Sequence, residues 1–306
     1  MNTTTANDPF ADRPPEGTAP FPFRFYVEFL EFLAAHPDIQ IITYADLPWG
    51  GDFDAARGYP REKARWQRKL RLKLLSPKKI YVLVQNDVDT HPQRTEAVLR
   101  HHERTGIPAN VMIFNRRVDR RHLVRTGELS LTPYELDDDY LRSLERKGFV
   151  FGYHMNAHER ALFDMEKAQE IFSEDIVALR ERFNIRFVTA HGGAPSPSGK
   201  NNRDVPMPAQ YRNDMRWVHN GFSPFFKSTY SDGGLNSPLR DPTKRDLRDF
   251  VKSWKRGHRY RVLLHPQYYA EDINPSARLL LAQWYKDLLA HYSAPGAASV
   301  WKAIKV

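Results

Sequence analysis

Two histidines four residues apart, His154 and His158, follow the apolar run Phe149-Val-Phe-Gly-Tyr153. Histidines at i and i+4 fall about one turn apart on one face of a helix, so both imidazoles can reach one ion. A bare pair of this kind often decorates a solvated helix; the buried strand before it is what points to a metal. Upstream, another apolar run, Tyr81-Val-Leu-Val-Gln85, leads into Asn86-Asp87-Val88-Asp89. Side chains two apart in an extended chain face the same way, so Asp87 and Asp89 present to one side and Val88 to the other. Two carboxylates ending an apolar strand are costly to leave without a counter-charge, which favours a cation beside them. A helix cap near Pro92 would occupy Asp89 or Thr90, and would leave Asp87 without a task.

Two more histidines sit at comparable places. Leu263-Leu264-His265-Pro266 ends an apolar strand in a candidate proton donor, although a lone histidine there is more often a hydrogen-bonded core residue. His191-Gly-Gly-Ala-Pro195 is a turn headed by a histidine. Its glycine pair lets the backbone approach a ligand closely, or simply makes the turn.

The elements that must position these residues alternate along the chain. Strands are expected at 40–44, 79–85, 110–114, 149–153, 186–190, 215–218 and 260–264, and helices at 61–75, 92–105, 134–147, 158–183 and 276–291. Short apolar strands alternating with helices predict an α/β fold, a parallel sheet covered by helices. Asp87 and Asp89, His154, His191 and His265 all fall just after strands. In a β/α barrel those C-terminal ends gather at one mouth, where active sites sit. Residues 192–213, rich in Gly, Pro, Ser and Asn, read as a long loop at that mouth. Residues 1–22, polar and rich in Pro and Thr, read as a disordered tail before a single domain spanning 23–306.

Composition narrows the chemistry. The 306 residues, 41% of them hydrophobic, suffice for one large core. With no cysteine, any transition metal must be held by His, Asp or Glu, and a Cys nucleophile is excluded. Neither a signal peptide nor a run of ~20 apolar residues is visible, which leads to a cytoplasmic expectation. The net charge is +9, and the stretch Arg61–Lys79, with nine basic residues and one acid, carries nearly all of it. Trp66, Leu70 and Leu74 recur every fourth residue there, a basic amphipathic helix. Its stripe suits packing on the domain, and its charges suit solvent, an anionic lipid surface or an anionic substrate.

Taken together and in order, these segments resemble the polysaccharide deacetylases, the NodB-like members of carbohydrate esterase family four. Tyr81–Asp89 is similar to the family's first motif, Phe149–His158 to the second and Leu264-His265-Pro266 to the last, and His191–Pro195 falls where the third lies. The resemblance covers roughly residues 80 to 270. It implies a distorted (β/α) barrel of about seven strands. It also implies one divalent ion, Zn first, with Co, Ni or Mn also suited, held by Asp89, His154 and His158. Asp87 would then be the catalytic base and His265 the acid, tuned by Asp232 in Tyr230-Ser-Asp-Gly-Gly. Here Val88 separates two aspartates that are usually adjacent. His191 stands where the family carries an arginine that holds the base, and is taken as a substrate-binding residue. The implied reaction removes an N-acetyl group from an amino sugar in a glycan or glycan precursor. Its alternatives are hydrolysis of another amide on the same barrel and a catalytically silent carbohydrate-binding barrel. Nucleic acid is not an expected partner, because the strand-end acids would repel phosphate.

Overall fold

The computed structural model describes residues 21–47, 76–119, 122–123, 126–132, 134–192, 199–218, 225–233 and 247–272. Within them the apolar runs become β2 (Ile39–Ile41), β3 (Ile80–Asp87), β4 (Asn110–Ile113), β7 (Val150–Met155), β8 (Phe187–Ala190), β9 (Arg216–Trp217), β10 (Ser228–Ser231) and β11 (Arg259–Leu264). These eight form one sheet in the order β10-β11-β3-β4-β7-β8-β9, with β2 also on β3. Every pairing in it is parallel. β11 follows one edge of β3, while β2 and β4 share the other, β2 at Ile80–Val82 and β4 at Gln85–Asp87. Two further short pairs lie outside this sheet: β1 (Phe21–Pro22) with β12 (Tyr269–Ala270), and β5 (Arg117–Val118) with β6 (Leu131–Thr132).

Strand periodicity shows how the sheet bends. Val82 and Val84 face outward, against Tyr26, Phe29, Leu30 and Leu33 of α1 (Phe23–Ala35) and Val98 of α2 (Pro92–Thr105). Val111, Phe151, Tyr153 and Val188 face α3 (Asp138–Glu145) and α5 (Met165–Arg180), meeting Leu141, Leu144, Phe172 and Ile176. The alternate residues, Tyr81 and Leu83 of β3, Met112 of β4 and Phe187 of β8, meet one another and Tyr44, Val218, Phe225 and Phe226. Side chains from strands so far apart in the order share one cluster only if the sheet curls around it. The result is a distorted (β/α) barrel with helices outside and an apolar interior. Gly152 makes that interior possible, since a Cβ there would stand 2.4 Å from Met112 Sδ and 2.9 Å from the Phe187 carbonyl.

The differences from the sequence reading have local causes. The single helix expected over 158–183 is two, α4 (Ala157–Arg160) and α5, because Leu162 and Phe163 take left-handed φ values of 51° and 70°. Asp164 then caps α5, its side chain accepting from the Lys167 amide at 2.9 Å. The helix expected from Tyr134 starts at Asp138, capped by Asp137. Phe21 and Pro22, placed in the tail, pair with Tyr269 and Ala270 instead. The helices expected at 61–75 and 276–291 lie outside the described residues, as do residues 1–20. Among the described residues, no helix is long and apolar enough to cross a membrane.

Candidate active site

Sheet order places the candidate residues side by side. Reading across the strand ends from β10 to β8, the chain presents Asp232, His265, the Asp87/Asp89 pair, Phe114, His154 and His191. The residues of β3 that face inward are Tyr81, Leu83, Gln85 and Asp87, and Asp89 continues the series beyond the strand end. Val88, fully buried, points into the outer core. Asp89 is not a helix cap: α2 is preceded by His91, and no side chain caps it.

Asp89, His154 and His191 offer one ligand atom each, all within 4.8 Å of one another. Asp89 Oδ1 stands 3.1 Å from His154 Nε2 and 4.0 Å from His191 Nε2. The other nitrogen of each ring is engaged: His154 Nδ1 with Thr189 Oγ1 at 2.8 Å, and His191 Nδ1 with Glu159 Oε2 at 3.3 Å. Phe114 stacks on the His154 ring, with centroids 5.0 Å apart, and meets His191 edge-on at 5.1 Å.

His158, expected beside His154, is not in this group. His154 ends a strand and His158 lies on α4, so the helical spacing that would align them does not apply. The His158 ring is buried against Phe163, with centroids 5.3 Å apart, and neither ring nitrogen has a hydrogen-bond partner. Burial holds its pKa below the ordinary histidine value. Its backbone amide donates to Asn202 Oδ1 at 3.0 Å.

Asp87 is placed from below. Gln85 Nε2 donates to its Oδ1 at 2.6 Å, and its Oδ2 faces His154 Nε2 at 3.8 Å. On the far side His265 Nδ1 meets Asp232 Oδ1 at 2.5 Å, and the His265 amide donates to Asp232 Oδ2 at 2.9 Å. The opposite nitrogen, Nε2, faces Asp89 Oδ2 at 3.8 Å. Gly233 closes over this ring, so near that a Cβ would lie 2.7 Å from His265 Cε1.

The electrostatics follow from burial and neighbours. Burial pulls the His265 pKa down, but Asp232, then Asp89 and Asp87, outweigh it and push the imidazole up to about 10. Burial would raise Asp89, yet contact with His154 and the charges of His265 and His191 hold it well below the usual carboxylate range. His154 is likewise raised, because Asp87 and Asp89 overcome its burial. The Asp89 and His265 side chains remain 20% and 12% exposed, against 2% for His154, so solvent or substrate reaches the group from the Asp89 and His265 side.

The group suits a divalent ion on chemical grounds. Asp89 Oδ1 is buried and makes no hydrogen bond of good geometry. A carboxylate accepts only, so the Glu159 contact places a proton on His191 Nδ1 and turns Nε2, the nitrogen that can ligate a metal, toward that same oxygen. Lone pairs converging on a buried point repel unless a cation or proton lies between them, and an oxygen and two imidazoles match Zn, Co, Ni or Mn.

Sequence reading missed Gln85, Thr189, Glu159 and Phe114. The signal for Gln85 was available, since it shares the strand face of Asp87. No protein-family model matches the chain, and no curated protein matches it. Among solved structures, a family 4 carbohydrate esterase from Bacillus anthracis is similar at 15% identity and a TM-score of 0.33, covering 80% of this chain and 89% of that one. The Xyl-CE4 domain of a multidomain xylanase from the hindgut metagenome of Trinervitermes trinervoides is similar at 13% identity and a TM-score of 0.28, covering 69% and 83%.

Proposed function

We propose that this chain is a metal-dependent hydrolase that removes an N-acetyl group from an amino sugar of a glycan or glycan precursor. One observation carries the proposal: three ligand atoms, from Asp89, His154 and His191, converge at a strand-end mouth between a buried carboxylate, Asp87, and a carboxylate-backed histidine, His265. In this reading Asp89, His154 and His191 hold one divalent ion. His191 thereby moves from the substrate-binding role implied by the resemblance to that of a ligand, in place of His158. The ion, when bound, lowers the pKa of a water and polarises an amide carbonyl.

The remaining work falls to side chains. Asp87, through Oδ2, accepts a proton from the water as its oxygen bonds to the acetyl carbon. His265 keeps its proton near neutrality because Asp232 stands behind it, and it delivers that proton to the sugar nitrogen as the C–N bond breaks. Acetate and a free amine leave. The test is metal analysis of the purified protein followed by acetate release from a panel of N-acetylated glycans. One divalent ion per chain, with acetate release lost on chelation and restored by metal, is expected. A metal-free protein that binds sugars without cleaving them would make it a silent barrel. A loaded protein that hydrolyses only non-glycan amides would keep the mechanism and overturn the substrate.

A further inference from the structure

The polar line inside the barrel does not stop at Asp87. Gln85, 1% exposed, and Tyr44, fully buried, lie beneath it among Leu47, Leu83 and Phe226. The Tyr44 hydroxyl donates to Gln85 Oε1, and Gln85 Nε2 donates to Asp87 Oδ1 at 2.6 Å. Behind the phenol, Arg261 Nη1 donates to the Tyr44 oxygen at 3.5 Å and its guanidinium lies over the Phe226 ring, 5.7 Å from the centroid. We propose that Gln85 is the positioning residue for Asp87, with Tyr44 fixing which way its amide points, so that Asp87 Oδ1 is held and Oδ2 alone is presented to the reacting water.

The polarity of the line runs one way. A phenol has one hydrogen, and here it goes to Gln85 Oε1. Burial pushes the Tyr44 pKa up to about 12, so that hydrogen stays in place. With its oxygen engaged, the amide must offer its NH₂ to Asp87. Asn110 fixes Tyr44 in turn: its Oδ1 accepts from the Tyr44 amide at 2.8 Å, while its Nδ2 donates to the Val84 carbonyl at 2.9 Å. Tyr44 thus hangs from the strand that carries Gln85. A carboxylate free to rotate about its last bond would present either oxygen, or neither, and an error of about 1 Å in a reacting group costs roughly 10²-fold in rate.

The inference rests on Asp87 as the base in the reading above. Its test compares Gln85→Met, which keeps volume but loses the donor, Gln85→Glu, which keeps shape but sets a second carboxylate against Asp87, and Tyr44→Phe, which frees the amide to turn over. Gln85→Met should lower kcat about 10²-fold with KM within about twofold and metal content unchanged. Gln85→Glu should not rescue it, and Tyr44→Phe should lose about tenfold. Crystal structures of the wild type and Gln85→Met should show the Asp87 carboxylate turned from its inward position in the variant. An unchanged carboxylate, a kcat within about threefold of wild type, or loss of metal along with kcat would overturn the proposal. Should Gln85→Met fail to fold, Tyr44→Phe and Gln85→Glu decide it by the same readouts. A wild type that hydrolyses nothing would remove the proposed reaction, and the crystallographic comparison would still decide what Gln85 does to Asp87.

Discussion

His191 Nδ1 stands 3.3 Å from Glu159 Oε2, and that contact decides which nitrogen the imidazole shows to Asp89. Glu159 is only 2% exposed and comes from α4, the turn that also carries His158. The residue next to the ligand expected from sequence therefore stands behind the histidine proposed in its place. Partners of this kind orient a ligating histidine and raise its basicity, and losing one costs about 10–100-fold in metal affinity. Glu159→Ala should weaken Zn or Co binding by that factor in a direct titration. An unchanged affinity would remove Glu159 from the account.

A paired comparison separates the two candidate ligands. His191→Ala should leave a folded protein that no longer retains a stoichiometric divalent ion after dialysis. His158→Ala should retain it, since the His158 ring packs against Phe163 and is not among the three converging ligands. Its cost should instead appear as a lower melting temperature. Metal lost from His158→Ala and kept by His191→Ala would restore the ligand set implied by the resemblance.

A different histidine should make the fold sensitive to acid. His102, fully buried, donates from Nδ1 to the Ile107 carbonyl at 2.8 Å, and its Nε2 lies 2.9 Å from the Tyr26 hydroxyl. Burial holds its pKa at about 4. The unfolded chain, with an ordinary histidine value near 6.5, binds more protons between those two pH values, so stability rises with pH across the window. The contribution is complete above about pH 6.5 and is lost on acidifying toward 4, about 3 kcal/mol in all. Urea unfolding from pH 7 to 4 should be less pH-dependent in His102→Gln by about that amount. Parallel curves for the two proteins would refute the assignment.

Much of this was legible in the chain because strands write their orientation in alternation. The inward series through Asp87 and Asp89, and the histidines ending β7, β8 and β11, followed from apolar runs and their last residues. What could not be read was which of the two histidines, the one near the end of β7 or the one on the turn after it, joins the inward group. A spacing of four is meaningful only on a continuous helix, and the chain passes from strand to helix between His154 and His158. The break at Leu162 and Phe163 was equally hidden, since neither residue type announces a left-handed φ. Thr189 and Glu159 lay beyond reach for another reason: their task is defined only by a ring brought against them in space.

The His265–Asp232 pair offers the most demanding test of the proposed chemistry. With Nδ1 held by Asp232 at 2.5 Å, the ring presents Nε2 to the mouth, and the neighbouring carboxylates push its pKa up to about 10. A proton donor of that kind works while protonated, so the rate should be sustained through neutrality and fall as pH rises through His265's own value. Asp232→Asn removes the largest support for the charged ring, and the alkaline limb of kcat/KM should move to lower pH. His265→Ala should slow acetamide hydrolysis by about 10² to 10⁴-fold. It should cost far less on an activated acetate ester, whose leaving group departs without a proton. The measurement is the ratio of the two rates in wild type and variant, with metal content checked in each. Equal losses on both substrates, with metal retained, would show that His265 shapes the mouth and gives no proton.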